Sequence, residues 1–116
     1  MATFSKQAFS ADTDGEGVLI AATASTGTTI HTTASSGITF EEVWLYFTNN
    51  HTTGVVVTVE YGQTTSTKTI SLEIPSKSGL TLMVPGLILG PSKTITAYAG
   101  TANVIVAYGY VNRIST

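Results

Sequence analysis

Apolar and polar residues alternate with period two in short runs, and every run is closed by Gly, Pro, Asn or Ser before a helical period could establish itself. Such alternation is what a half-buried strand requires. Strands are predicted over 18–23, 28–33, 41–49, 55–61, 67–74, 80–84, 93–99 and 103–111. The segments between them, such as Ser-Thr-Gly, Asn-Asn-His-Thr-Thr-Gly and Pro-Gly, are turns by composition. About eight short strands at this spacing predict an all-β chain, an antiparallel β-sandwich or jelly roll without substantial helix.

The alternation also assigns faces. Val43, Leu45 and Phe47 point one way and Trp44 and Tyr46 the other. Val55, Val57, Val59 and Tyr61 are expected inside, as are Ile70, Leu72 and Ile74. Both faces of 43–47 and of 104–111 are apolar or aromatic, whereas a strand of a two-layer sandwich needs one such face. The surplus, especially Trp44, Tyr46, Ile105 and Val111, lines a subunit contact or is covered by loops or an arm of the same subunit.

Residues 18–116 are expected to form one sandwich domain, preceded by an arm and acidic turn over 1–17. Phe4 and Phe9 stand in a polar setting, so the arm either docks on a neighbour or folds back on its own domain. A chain of 116 residues without cysteine can build a core of its own, and its stability must come from packing and the sheet ladder. Charged residues make up 10% against roughly 25% in ordinary soluble proteins. Thr supplies 22 of the 116 residues. This surface suits a protein held inside an assembly, although Thr also simply satisfies β propensity.

A net charge of -2 with five dispersed basic residues offers no attraction to phosphate backbones, and nucleic acid is not an expected partner. No run approaches the roughly 20 apolar residues of a membrane span, and the N-terminus has no signal-like apolar stretch.

No catalytic constellation is evident, and no enzyme, cofactor or metal is expected. Asp12, Asp14 and Glu16 around Gly15 resemble the opening of a calcium loop, but the later ligands of such a loop are missing. His31 and His51 have no partner at metal-ligand spacing. Glu41 and Glu42, adjacent on one strand, must face opposite ways. Glu60 and Glu73 lie on neighbouring strands, where an exposed cross-strand pair is expected. Asn50-His51-Thr52 fits a glycosylation pattern that any Thr-rich chain produces by chance. Trp44, Tyr46, Tyr98 and Tyr110 could stack on sugar rings.

The C-terminal third carries Leu87-x-Leu89, Gly90, Ile95-Thr96-Ala97-Tyr98-Ala99, Thr101-Ala102-Asn103 and an apolar strand ending near Tyr110. This segment resembles the terminal hairpin of small structural proteins of tailed bacteriophages, and the strand, Asn turn and strand over 43–59 are similar to theirs. The resemblance implies a virion protein of the capsid decoration, or cement, kind, with a tail, neck or fibre component, or a carbohydrate-binding sandwich, as alternatives. It further implies the major capsid protein as partner, self-association as a homotrimer, synthesis in the host cytoplasm and a final place on the capsid surface. Phe4, Phe9, Trp44, Tyr46, Ile105 and Val111 are the candidate interface residues.

Overall fold

The computed structural model describes residues 2–115. It is an all-β sandwich of nine strands, one more than the turn spacing predicts: β1 (Thr3–Gln7), β2 (Val18–Ile20), β3 (Thr28–Thr32), β4 (Ile38–Asn49), β5 (Val55–Tyr61), β6 (Ile70–Ile74), β7 (Thr81–Leu89), β8 (Thr94–Ala99) and β9 (Ile105–Ser115). The only helical turn among the described residues is a 3-10 turn at Ser66–Lys68.

All strand pairs are antiparallel, and their nesting explains the architecture. β5 pairs with β6, β4 with β7, β3 with β8 and β2 with β9. The chain is thus one long hairpin folded over on itself, closed into two sheets by β4 against β9 and β5 against β8. The resulting orders, β9-β4-β7 with β2 on the far side of β9, and β3-β8-β5-β6, are those of a jelly roll. β1 extends the first sheet beyond β9.

Val43, Leu45 and Phe47 are fully buried and face Val57, Val59, Ile95 and Ala97 of the second sheet. Alternation placed these strands correctly, because each spans a sandwich with one dry face. Leu72 departs from its expected role. It pairs with buried Val57, but β6 is the rim of its sheet and leaves Leu72 43% exposed. Tyr61 is half-buried and donates its hydroxyl to the Leu87 carbonyl at 2.9 Å. Burial raises its phenol pKa well above the usual range.

The strand expected over 67–74 begins later, at Ile70, because 66–68 form the helical turn. Pro85-Gly86, read as a turn, lies inside β7 instead. The ladder to β4 slips between Val43 and Trp44 and again between Leu45 and Tyr46, leaving Gly86 and Met83 as bulged residues of β7. β7 is an edge strand, where the missing N–H of Pro85 breaks no inner ladder.

The N-terminal segment is not a free arm. β1 runs along Val111–Ser115 and β2 along Ile105–Ala107, so together they form one edge broken in the middle. In the break the chain turns inward and Phe9 enters the core, 1% exposed. Gly109 on β9 lies opposite. A Cβ there would approach the Phe9 ring to 3.1 Å and strike the Trp44 carbonyl, at a φ of +147°. The Trp44 backbone is what forbids a side chain here, and the bare glycine also leaves room for the ring. Of the expected interface residues, Phe9, Ile105 and Val111 are therefore corrected to core residues of their own chain.

Candidate functional site

Three constellations of polar or aromatic side chains stand out, two buried and one open. The first lies at one end of the sandwich. Glu41, which alternation turns inward from β4, is fully buried. One carboxylate oxygen meets His31 Nε2 of the opposite sheet at 2.6 Å, and the other accepts from Arg113 Nε at 3.0 Å and the Ala34 N–H at 2.9 Å. Burial pushes the Glu41 pKa up, but the Ala34 and His31 hydrogen bonds and the charge of Arg113 outweigh it, and the net shift is downward. His31 Nδ1 accepts the Ser10 N–H at 2.9 Å, which assigns the ring proton to Nε2. Both imidazole nitrogens are thereby occupied, one by backbone, and no lone pair faces a nucleophile. The group works as a clamp between the sheets and the N-terminal segment.

The second is Glu60, on the outward face of β5 yet only 1% exposed. The loop before β3 covers it. Ser25 Oγ donates to one carboxylate oxygen, while the Gly27 N–H at 2.8 Å and Thr96 Oγ1 at 2.6 Å donate to the other. Glu60 was expected in an exposed pair with Glu73. The register instead sets Glu73 opposite Val56, four residues from Glu60 and thus roughly 13 Å along the strand. Burial raises the Glu60 pKa, but three donors outweigh it and the net shift is downward. A carboxyl whose folded pKa lies below its unfolded value adds stability above the unfolded value, and that contribution is lost as pH falls through the folded one. Glu60→Gln is expected to cost about 1–3 kcal/mol at pH 7. The difference from the parent should shrink toward pH 3 in urea titrations; a constant difference would remove Glu60 from the acid response.

The acidic turn folds by the same device. Asp12 accepts the Glu16 N–H at 2.8 Å and the Gly17 N–H at 2.9 Å, so its oxygens hold the loop. No group of three His, Cys, Asp or Glu side chains converges among the described residues.

The open constellation is the outer face of the β1-β9-β4-β7 sheet. Its cross-strand rows are given by register. At one end Phe4, Ile114 and Phe40 stand side by side, and Phe4 is 69% exposed. The next row is Lys6, Asn112, Glu42 and Ile88. Tyr110 and Trp44 follow, then Tyr108, Tyr46 and Leu82. Lys6 and Glu42 are the only charged side chains among these positions. Both are pinned: the Lys6 ammonium lies 4.4 Å over the Tyr110 ring, and Glu42 Oε1 accepts from Trp44 Nε1 at 2.7 Å and Asn112 Nδ2 at 2.9 Å. Those two donors, Asn112 first, lower the Glu42 pKa against a smaller effect of burial.

Tyr110 and Trp44 stack at 6.4 Å with planes 18° apart. Beyond Trp44 stands Gly86, where a Cβ would lie 2.8 to 3.3 Å from three contiguous atoms of the indole's six-membered ring. Ammonium, phenol, indole and glycine thus form a ladder across four strands that occupies the ring faces and leaves edges outward. Tyr98, grouped with these aromatics by sequence, pairs with Thr58 on the outer face of the other sheet, so the four rings form no single platform. Phe4, Trp44 and Tyr46 are the expected contact residues that the fold does bring onto one face. Lys6, Phe40 and Ile88 carry no signal of this face in the sequence, and Glu42 stands out there only as the neighbour of Glu41, although alternation outward from Trp44 reaches Phe40 and Glu42.

Fold and surface together define a jelly-roll sandwich with one nearly uncharged aromatic sheet face. No protein-family model, no curated protein and no solved structure matches this chain. No helix among the described residues is long and apolar enough to cross a membrane.

Proposed function

We propose that this protein is a structural component of a bacteriophage virion, a decoration protein of the capsid surface, and that the outer face of the β1-β9-β4-β7 sheet is its assembly surface. The observation carrying the reading is that face. Rows of aromatic and aliphatic side chains run about 20 Å along β4 and about 14 Å across the four strands, on the order of 500 Å² with side-chain reach. A patch of this size stands among the largest that monomeric proteins leave open, and such patches are often functional. The C-terminal motifs and the jelly roll, an architecture also used by viral capsid domains, point the same way, the fold by analogy alone.

The mechanism is mechanical. Copies that bind only the assembled shell, bridging major capsid subunits, raise the free energy needed to separate them by the free energy of their own binding. The carbohydrate reading is not favoured, because the ladder from Lys6 to Gly86 already covers the ring faces a sugar would stack on.

Add-back of purified protein to virions stripped of it provides the test, with gold-labelled antibody reporting position. Labelling over the head is expected, and the variant combining Phe4→Ser with Tyr46→Ser should bind at least tenfold more weakly while melting cooperatively. Labelling confined to tail or neck, or undiminished binding of a folded variant, would refute the decoration role.

A further inference from the structure

We infer that a second copy of this chain docks on the outer face of the β1-β9-β4-β7 sheet, related to the first by a twofold axis running along β9. The proposal names a partner for the assembly surface and rests on that reading.

The charges of the face argue for it. In the row Lys6, Asn112, Glu42, the strand of Asn112 is central, and the cation on β1 and the carboxylate on β4 stand on either side of it. Each lies one strand spacing, about 4.8 Å, from β9. A twofold along β9 turns the copy over and exchanges left with right while keeping every row in place. Lys6 of each copy then lies over Glu42 of the other, twice. Any pairing that shifted the rows would set these charges against apolar side chains and desolvate them without an opposite charge.

Shape follows the same symmetry. Phe4, exposed on β1, falls over Phe40 of the other copy, and Phe40 over Phe4. Trp44 and Tyr46, the largest side chains of β4, fall over the interval between β1 and β2, where no strand runs beside Tyr108–Tyr110. Two sheets stacked about a twofold along their strands are also aligned, the arrangement that sheet twist favours. The three overlapping strands, about 10 Å wide, give on the order of 400 Å² per copy, about half of what a standard interface buries, so the pair is a weak and reversible one. β7 lies outside the overlap, so Leu82 and Ile88 form an apolar rim on each side of the pair. A pair with two rims is suited to bridging two capsid subunits.

Light scattering at 10–100 µM should give twice the 12.1 kDa chain mass. Lys6→Glu places two carboxylates at each contact and Glu42→Lys two ammonium groups, so each variant alone should dissociate at least tenfold more readily. Mixing the K6E and E42K chains in equal amounts makes both contacts complementary again, and the heterodimer should re-form with affinity within about threefold of the parent. Mixing cannot repair an effect inside one chain, and thermal melts of each variant confirm folding. A monomeric parent, a mass of three chains as the phage resemblance implies, or failure of the mixture to associate would overturn the twofold pairing. Loss of particle binding by the face variant in a protein that stays monomeric would sink this pairing and leave the assembly reading standing, whereas a dimer that ignores virions would do the reverse.

Discussion

Replacing Glu41 with Ala is expected to remove about 3 kcal/mol of folding stability, the cost of leaving buried hydrogen-bond donors without their acceptor. His31 Nε2, Arg113 Nε and the Ala34 N–H all lose their acceptor at once, and the first of these is enclosed between the sheets. A domain of this size has roughly 5–15 kcal/mol in total, and the melting temperature should fall by roughly 10–20 °C. Glu42→Ala, one residue on but facing outward, provides the control. Its partners are at the surface, and urea unfolding should report a loss several-fold smaller. Equal losses in the two variants would mean that water reaches the Glu41 site, and the clamp would then contribute little.

Phe9→Ala should be comparably damaging, about 3–5 kcal/mol for emptying an aromatic site in a packed core. Gly109 is shaped to the ring and cannot follow it, so collapse around the cavity is limited. The neighbouring test is Phe4→Ser, which touches an exposed side chain and should change stability by no more than about 0.5 kcal/mol. The two residues stand five apart in the same segment, and the contrast between them separates a core plug from a contact residue. A small effect at Phe9 would return the N-terminal segment to the status of a detachable arm. By the same logic, deletion of residues 1–10 tests folding before it tests assembly.

The strands whose burial depends on local alternation were legible in the sequence, and 55–61 was read to the residue. What was not legible depends on distant segments. Glu60 reads as a solvent-facing strand residue because nothing near it foretells that Ser25–Gly27 will fold over it. Glu41 lies at an inward position by parity, yet a carboxylate there is tolerable only because His31, Arg113 and the Ala34 N–H arrive from β3, β9 and a loop. Pro85-Gly86 carries the composition of a turn, and only its place at the rim of a sheet lets it remain in a strand. For the aromatic sheet face, alternation identified Trp44 and Tyr46 as surplus outward aromatics. It could not place Phe4 and Lys6 in their rows, because that requires the register of β1 on β9.

The irregular β7 has a consequence for life at high concentration. At high concentration an unpaired strand edge is an invitation for the next copy to add its own strand, and then another, without limit. β7 presents two bulges and a proline within nine residues, so its outward N–H and C=O groups fall out of step with any straight partner. Strand-by-strand growth is thereby opposed at that rim, and a copy that approaches it meets side chains rather than a straight ladder.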